Sequence, residues 1–208
     1  MMKQHIVIVG PGRIGEALGS LLQATDTDIS FLTREHYGDF CSDQFAPESA
    51  VAQVKACDVV LFCAGLFELN AEDARMFQAN CGAIQQLADA FHARFPQAHL
   101  ITFLDTRIGR ALENEPLAIR AYLKAKQSLA QWTLEVAKAW GIETGTRVNA
   151  IAPGPVLPPP NRTHSEKAGA CLTPRPTCED VARAIRFLLE TPSITGQILY
   201  VAAGQQLL

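Results

Sequence analysis

A tyrosine and a lysine stand four residues apart in Tyr122-Leu-Lys-Ala-Lys126, within a stretch rich in helix-forming residues. At that spacing both side chains lie on one helix face, so an ammonium stands beside a phenol. A free phenol ionises near pH 10, and an adjacent cation is expected to draw that value down, which suits a tyrosine to protonating a substrate near neutrality. Far upstream, Gly10-x-Gly12-x-x-Gly15 has the spacing of a dinucleotide-binding turn. Gly10 permits the tight turn, Gly12 lets backbone approach a pyrophosphate, and Gly15 lets helix and strand pack closely; the helix N-terminus supplies N–H donors and positive potential. Hydride from a nicotinamide and a proton from a phenol together reduce a carbonyl or an imine. Each motif alone is ordinary, since a Tyr/Lys pair is commonly a solvated face and a glycine pattern commonly a bare turn. Their combination points to reduction.

These groups need a scaffold, and the hydrophobic pattern supplies one. Residues 5–9 are apolar and rich in β-branched side chains, and they run straight into the glycine turn and then a helical pattern. Further strands are expected at 28–33, 58–65, 99–104, 147–151 and 197–201, and helices at 47–56, 71–95 with an interruption near Asn80, 117–140 and 179–190. The stretch 58–65 is apolar on both faces, as in the middle of a parallel sheet. Strands alternating with helices, without an internal repeat, predict an α/β fold: a single Rossmann-like, doubly wound parallel sheet with helices on both faces. Residues 1–208 read as one NAD(P)-binding domain, with the Pro-rich region 157–176 as a surface lid over substrate.

The second strand bears on the choice of cofactor. Dinucleotide folds selective for NAD carry an acidic residue at its end to bind the ribose diol. Here the strand closes on Phe31-Leu-Thr-Arg34, and Arg34, helped by Arg13 in the glycine turn, can neutralise a 2′-phosphate instead. This favours NADP(H) over NAD(H). Glu35 keeps the alternative open, because a strand end shifted by one residue gives it the diol.

Composition narrows the partners. The 208 residues carry a formal net charge of −3 and are 48% hydrophobic, which excludes disorder, and they contain no Lys/Arg run to grip a phosphate backbone, which argues against nucleic acid. No apolar run is long enough to cross a bilayer and no secretory leader is evident, so no membrane role and a cytoplasmic location are expected. The six cysteines form no CxxC pair and read as free, mostly buried thiols. The five histidines lack metal-ligand spacing, so no metal is expected. Trp132 and Trp140 read as packing or interface residues.

In this order the landmarks resemble the short-chain dehydrogenase/reductase family over essentially the whole chain. They are the glycine turn, Phe62-Cys-Ala-Gly65 where the family has Asn-Asn-Ala-Gly, Asn80, Tyr122/Lys126, Arg147-Val-Asn-Ala-Ile-Ala-Pro-Gly154, and Ile194-Thr-Gly-Gln. The resemblance implies that Tyr122 donates the proton, that Lys126 binds the nicotinamide ribose and lowers the tyrosine pKa, and that Asn80, by bending its helix, holds a relay water. It implies cofactor contacts from Gly10, Gly12, Arg13, Ile14 and Gly15, from Arg34, Ala64, Gly65 and Lys126, and from Pro153 and Gly154. Where the family usually has a serine after the strand 99–104, this chain has Asp105, which is similar to the pteridine and dihydromonapterin reductases. A carboxyl group there can hydrogen-bond the ring nitrogens of a pterin and join a proton relay, or it can simply cap the following turn. The resemblance also implies a homodimer or homotetramer built on the long helix. The form is shortened: the glycine turn lacks a residue, residues 34–58 are too few for a full helix, strand and helix, and 111–116 are additional. Two functions follow: an NADPH-dependent reductase of a pterin-like or small carbonyl or imine substrate, or a non-catalytic NADP(H)-binding regulatory or sensor protein of the same fold.

Overall fold

The computed structural model describes residues 3–158 and 169–208. Half of the proposed lid, residues 159–168, therefore lies outside the described residues. Six strands form one parallel sheet: β1 (Gln4–Val9), β2 (Thr27–Leu32), β3 (Val59–Phe62), β4 (His99–Phe103), β5 (Val148–Pro153) and β6 (Ile198–Val201), in the order β2-β1-β3-β4-β5-β6. Each lies within a few residues of its sequence-based position, the largest difference being β3, which stops at Phe62 so that residues 63–65 leave the sheet as a loop.

The helices between them are α1 (Gly12–Leu22), α2 (Arg34–Tyr37), α3 (Pro47–Ala52), α4 (Asp73–Phe77), α5 (Ala83–Arg94), α6 (Leu117–Thr144) and α7 (Cys178–Glu190). Successive strand residues point to opposite faces, and the two faces carry separate cores. Val7, Val9, Val60, Phe62, Leu100 and Ala150 pack against α3, α5 and α6. Ile6, Ile8, Val59, Leu61, Ile101 and Ile151 pack against Leu18 of α1 and Val181, Ile185 and Leu188 of α7. This is the doubly wound arrangement that continuous apolar strands require.

Three local features place the site. The chain turns from β1 to β2 on one side and returns to β3 on the other, so the crevice at the strand ends opens between β1 and β3, where α/β sheets bind ligands. Between β2 and β3 no extra strand forms; α2 and α3 are only four and six residues long. The interruption expected near Asn80 is a π-helical turn, Gln78–Gly82, joining α4 to α5. Trp132 and Trp140 pack edge to face at 5.8 Å, and His92 stacks on Trp140 at 4.2 Å.

Candidate active site

The glycine turn is built by backbone demands. Gly10 has φ +68° and a Cβ there would lie 2.3 Å from the Cβ of Ala64, so both conformation and the neighbouring loop exclude a side chain. Gly12 has φ +38° with open space beside it, and a Cβ on Gly15 would stand 3.2 Å from the Gly10 carbonyl and from Ile8. No side chain caps the start of α1. Gly12, at the start of α1, lines with its open face a cavity of about 410 Å³. Unpaired helix-start donors beside a surface cleared of Cβ atoms fit a pyrophosphate.

Arg34 and Thr33 line the far side of that cavity, as do Tyr37, Asp39 and Phe40, whereas Glu35 does not. Arg34 forms an ion pair with Asp39. Arg13 stands apart from both: its guanidinium donates to the Pro158 carbonyl at 2.8 Å and lines neither this cavity nor the next. It points outward because its position on the first turn of α1 faces residues 157–158 rather than the crevice.

A second cavity of about 250 Å³ shares Cys63, Ala64, Gly65 and Leu66 with the first. Ile14, Asn80, Asp105, Tyr122, Lys126, Pro153 and Gly154 all line it. The structure therefore brings these residues together from six separate stretches of chain.

Asn80 is fully buried and acts as a clamp. Its side-chain amide donates to the Leu66 carbonyl at 2.8 Å and to the Met76 carbonyl at 3.1 Å, and its Oδ1 accepts from Leu66 N at 3.1 Å. From within the π turn, the Asn80 amide thus ties the Met76 carbonyl of α4 to the loop after β3. Gly65 passes close by: a Cβ there would lie 2.8 Å from Asn80 Oδ1 and 3.6 Å from Lys126 Nζ.

Lys126 is buried, and its Nζ donates to the Phe103 carbonyl at 2.8 Å. Burial pulls its pKa down to about 8, opposed by the charge of Asp105 and by the thiols of Cys81 and Cys63. The ammonium stands 5.8 Å from the centre of the Tyr122 ring.

The sequence led to an expectation of a lowered phenol pKa at Tyr122, and the structure reverses the direction. Burial raises it, and the Asp105 carboxylate adds to this as a negative charge and hydrogen-bond partner, against a smaller opposing effect of Arg107. Desolvation and a carboxylate neighbour penalise the phenolate more than the lysine helps it. The result is a phenol that stays protonated at neutral pH.

Asp105 caps its own turn and also lines the cavity. Its Oδ1 accepts from Arg107 N at 2.9 Å, the turn-capping contact, and from Arg107 Nε at 3.0 Å, while Oδ2 accepts from Arg107 Nη2 at 3.1 Å. The same carboxylate faces the cavity beside Tyr122. Arg107 continues to Glu115 at 3.8 Å, and Glu115 to Arg110 at 3.3 Å. Gln127 of α6 donates to the Ile108 and Arg110 carbonyls at 3.0 and 2.9 Å, so the turn that leads into the additional residues is pinned to the helix that carries Tyr122.

Several residues escaped the sequence reading. Phe67 packs edge to face on Tyr122 at 5.0 Å while 57% exposed at the cavity mouth. Asp39 and Arg107 lie next to residues that were singled out, but only the fold turns them inward. The Asp-x-Arg spacing of 105–107, which matches a side chain folding back on its own turn, was the available signal for Arg107. All six cysteines are free, with Cys81 and Cys178 buried, Cys57 and Cys63 half-buried, and Cys41 and Cys171 exposed. Among the described residues no cluster of His, Cys, Asp and Glu could hold a metal, and no helix is long and apolar enough to cross a membrane.

A parallel sheet with a glycine turn at its switch point and a Tyr–Lys pair in the adjoining cavity defines a Rossmann-type oxidoreductase. The chain belongs to the short-chain dehydrogenase/reductase family: residues 46–206 match the family described as enoyl-(acyl carrier protein) reductase. Carbonyl reductase family member 4 from Danio rerio is 38% identical over 92 residues, a match spanning 42% of this chain and 38% of that protein. A small-chain dehydrogenase solved in complex with NADPH shares the fold at TM-score 0.81 and 17% identity, over 99% of each chain. A short-chain type dehydrogenase/reductase from Mycobacterium ulcerans does so at TM-score 0.81 and 18% identity, over 100% of this chain and 92% of that one. FolM alternative dihydrofolate reductase 1 from Brucella canis, complexed with NADP, follows at TM-score 0.76 and 22% identity, over 99% and 95%.

Proposed function

We propose that the protein is an NADP(H)-dependent reductase acting on a pterin-like substrate or a similar small carbonyl or imine, with Tyr122 as proton donor. The observation that carries this reading is the single cavity in which Tyr122, Lys126 and Asp105 stand beside Gly65, continuous with the glycine turn. Bound there, the nicotinamide cofactor supplies hydride. Gly12 leaves the backbone bare for the pyrophosphate, Gly10 makes the turn and Gly15 lets helix and strand close behind it, and Ile14, Ala64, Gly65, Pro153 and Gly154 wall the reacting end. Arg34 faces the adenine side as a cation for the 2′-phosphate. Lys126 presents a charge to the ribose and to the phenol. Tyr122 holds its proton at the hydroxyl until hydride arrival makes the substrate atom basic, and Asp105 accepts a hydrogen bond from a ring N–H of the substrate. Asn80 holds the loop after β3 in register.

Two structural neighbours of the same fold were solved with NADPH and with NADP, the second of them the FolM alternative dihydrofolate reductase 1; both facts support the direction of this reading. A homodimer or homotetramer resting on α6 belongs to the same proposal, as does a cytoplasmic location. The test is to mix the protein with NADPH and a panel of dihydropterins, quinones and simple ketones and to follow loss of the nicotinamide absorbance band. Turnover is expected, and Tyr122→Phe should lower it by about two to four orders of magnitude while barely changing NADPH affinity. Tight NADPH binding with no reduction of any member of the panel would establish the non-catalytic nucleotide-binding alternative.

A further inference from the structure

The cation assigned to the 2′-phosphate does not stand alone. Arg34 pairs with Asp39, and both side chains line the cavity that begins at Gly10 and Gly12. Asp39 is the only carboxylate among the described residues lining that cavity; the other cation there, Arg75, is paired with Glu68 at 3.2 Å. The position of Asp39 is built rather than incidental. Gly38, immediately before it, has φ +81°, and a Cβ there would stand 2.3 Å from the Gln44 carbonyl. One oxygen of Asp39 accepts from Cys41 N at 2.9 Å, which leaves the other for Arg34. Tyr37, Phe40 and Phe45 pack together at 4.8 to 6.5 Å around this loop and anchor it.

Resting on the reading of this cavity as a nucleotide site, we propose that Asp39 sets cofactor preference by competing with the 2′-phosphate for Arg34, so that the protein accepts both NADPH and NADH. A phosphate reaching Arg34 must displace a carboxylate already there and then sit near its negative charge. A ribose carrying two hydroxyls meets the opposite situation, since a carboxylate accepts hydrogen bonds from both and gives up nothing. The cation thus favours one cofactor and its neighbour penalises that same cofactor. Asp39 stands outside the end of β2, beyond the short helix α2, and for that reason the strand-end sequence alone assigns the preference to Arg34.

The test measures dissociation constants for NADPH and NADH by nicotinamide fluorescence on the wild-type protein and on Asp39→Asn, which keeps an oxygen for Cys41 N but loses the charge. An exposed ion pair released in this way should raise NADPH affinity by about fivefold, and NADH affinity should fall or stay level, so the ratio widens. Asp39→Ser should change the ratio in the same direction. A ratio equal to wild type in both variants overturns the proposal, and so does a parallel loss of both affinities, which marks a damaged loop rather than a competitor. If neither cofactor binds the wild-type protein, the nucleotide reading of the cavity falls together with this proposal. Binding without turnover rejects only the reductase reading and leaves the ratio experiment intact.

Discussion

Replacing Lys126 with methionine keeps the length of the side chain and removes its charge, so it isolates the energetic cost of holding an ammonium in this cavity. Folding takes Lys126 from its ordinary value of 10.5 to about 8, chiefly through burial. The folded protein therefore sheds this proton more readily than the unfolded chain. Below pH 8 both states are protonated and the full cost, about 3 kcal/mol, is borne by the fold. Between pH 8 and 10.5 the folded lysine is neutral while the unfolded one still holds its proton, so stability rises with pH through that window. From pH 7 to pH 9.5 the rise from this residue amounts to about 2 kcal/mol. Other groups oppose it: burial pushes Cys57 up to about 12 and Cys81 to about 11, and raises Tyr122 and Cys63, so their folded forms retain protons that the unfolded chain gives up at alkaline pH. A single melting curve against pH mixes these contributions. The difference between wild type and Lys126→Met in urea unfolding at pH 7, 8, 9 and 9.5 separates them. That difference should shift in favour of wild type by about 2 kcal/mol over the range, with Lys126→Met the less pH-dependent protein on its acid side. A difference that stays flat would mean that Lys126 keeps an ordinary pKa in a solvated site, and the reasoning from burial would be wrong. The same titration reaches function, because a neutral amine no longer offers charge to a ribose or a phenol; cofactor affinity should weaken as pH rises through about 8.

Asn80→Ala removes the partner of three backbone groups, one of them the Met76 carbonyl of α4. We expect a loss of about 2 to 4 kcal/mol in urea unfolding, with helix content retained; unchanged stability would show that the clamp is dispensable. Asp105→Ser should lower dihydropterin reduction more than about tenfold and spare simple ketones, because a hydroxyl still polarises a carbonyl. Equal rates on both substrate types would leave Asp105 with only its turn-capping role toward Arg107.

Much of the scaffold was legible because its signals are local. The stretch 58–65 was readable as the middle of a parallel sheet because it is apolar on both faces, and β3 lies between β1 and β4. The glycine turn was readable because positive φ at Gly10 and Gly12 and close packing at Gly15 are backbone requirements that only one residue type meets well. The helical spacing of Tyr122 and Lys126 likewise fixed their shared face.

What the sequence could not reach were the consequences of side chains arriving from distant segments. The direction of the Tyr122 shift depends on Asp105, seventeen positions earlier, and on burial, neither of which helical spacing reports. Arg13 sits in the right motif yet turns to Pro158, 145 positions away. Asn80 stood out as a helix interruption, but its bonds to Leu66 appear only when the loop after β3 folds over the π turn. Short-range pattern determines which elements form and which faces they bury, because propensity and periodicity act within a few residues. Charge, desolvation and hydrogen-bond partnership act through space, and here the tertiary structure alone decided which carboxylate meets which cation.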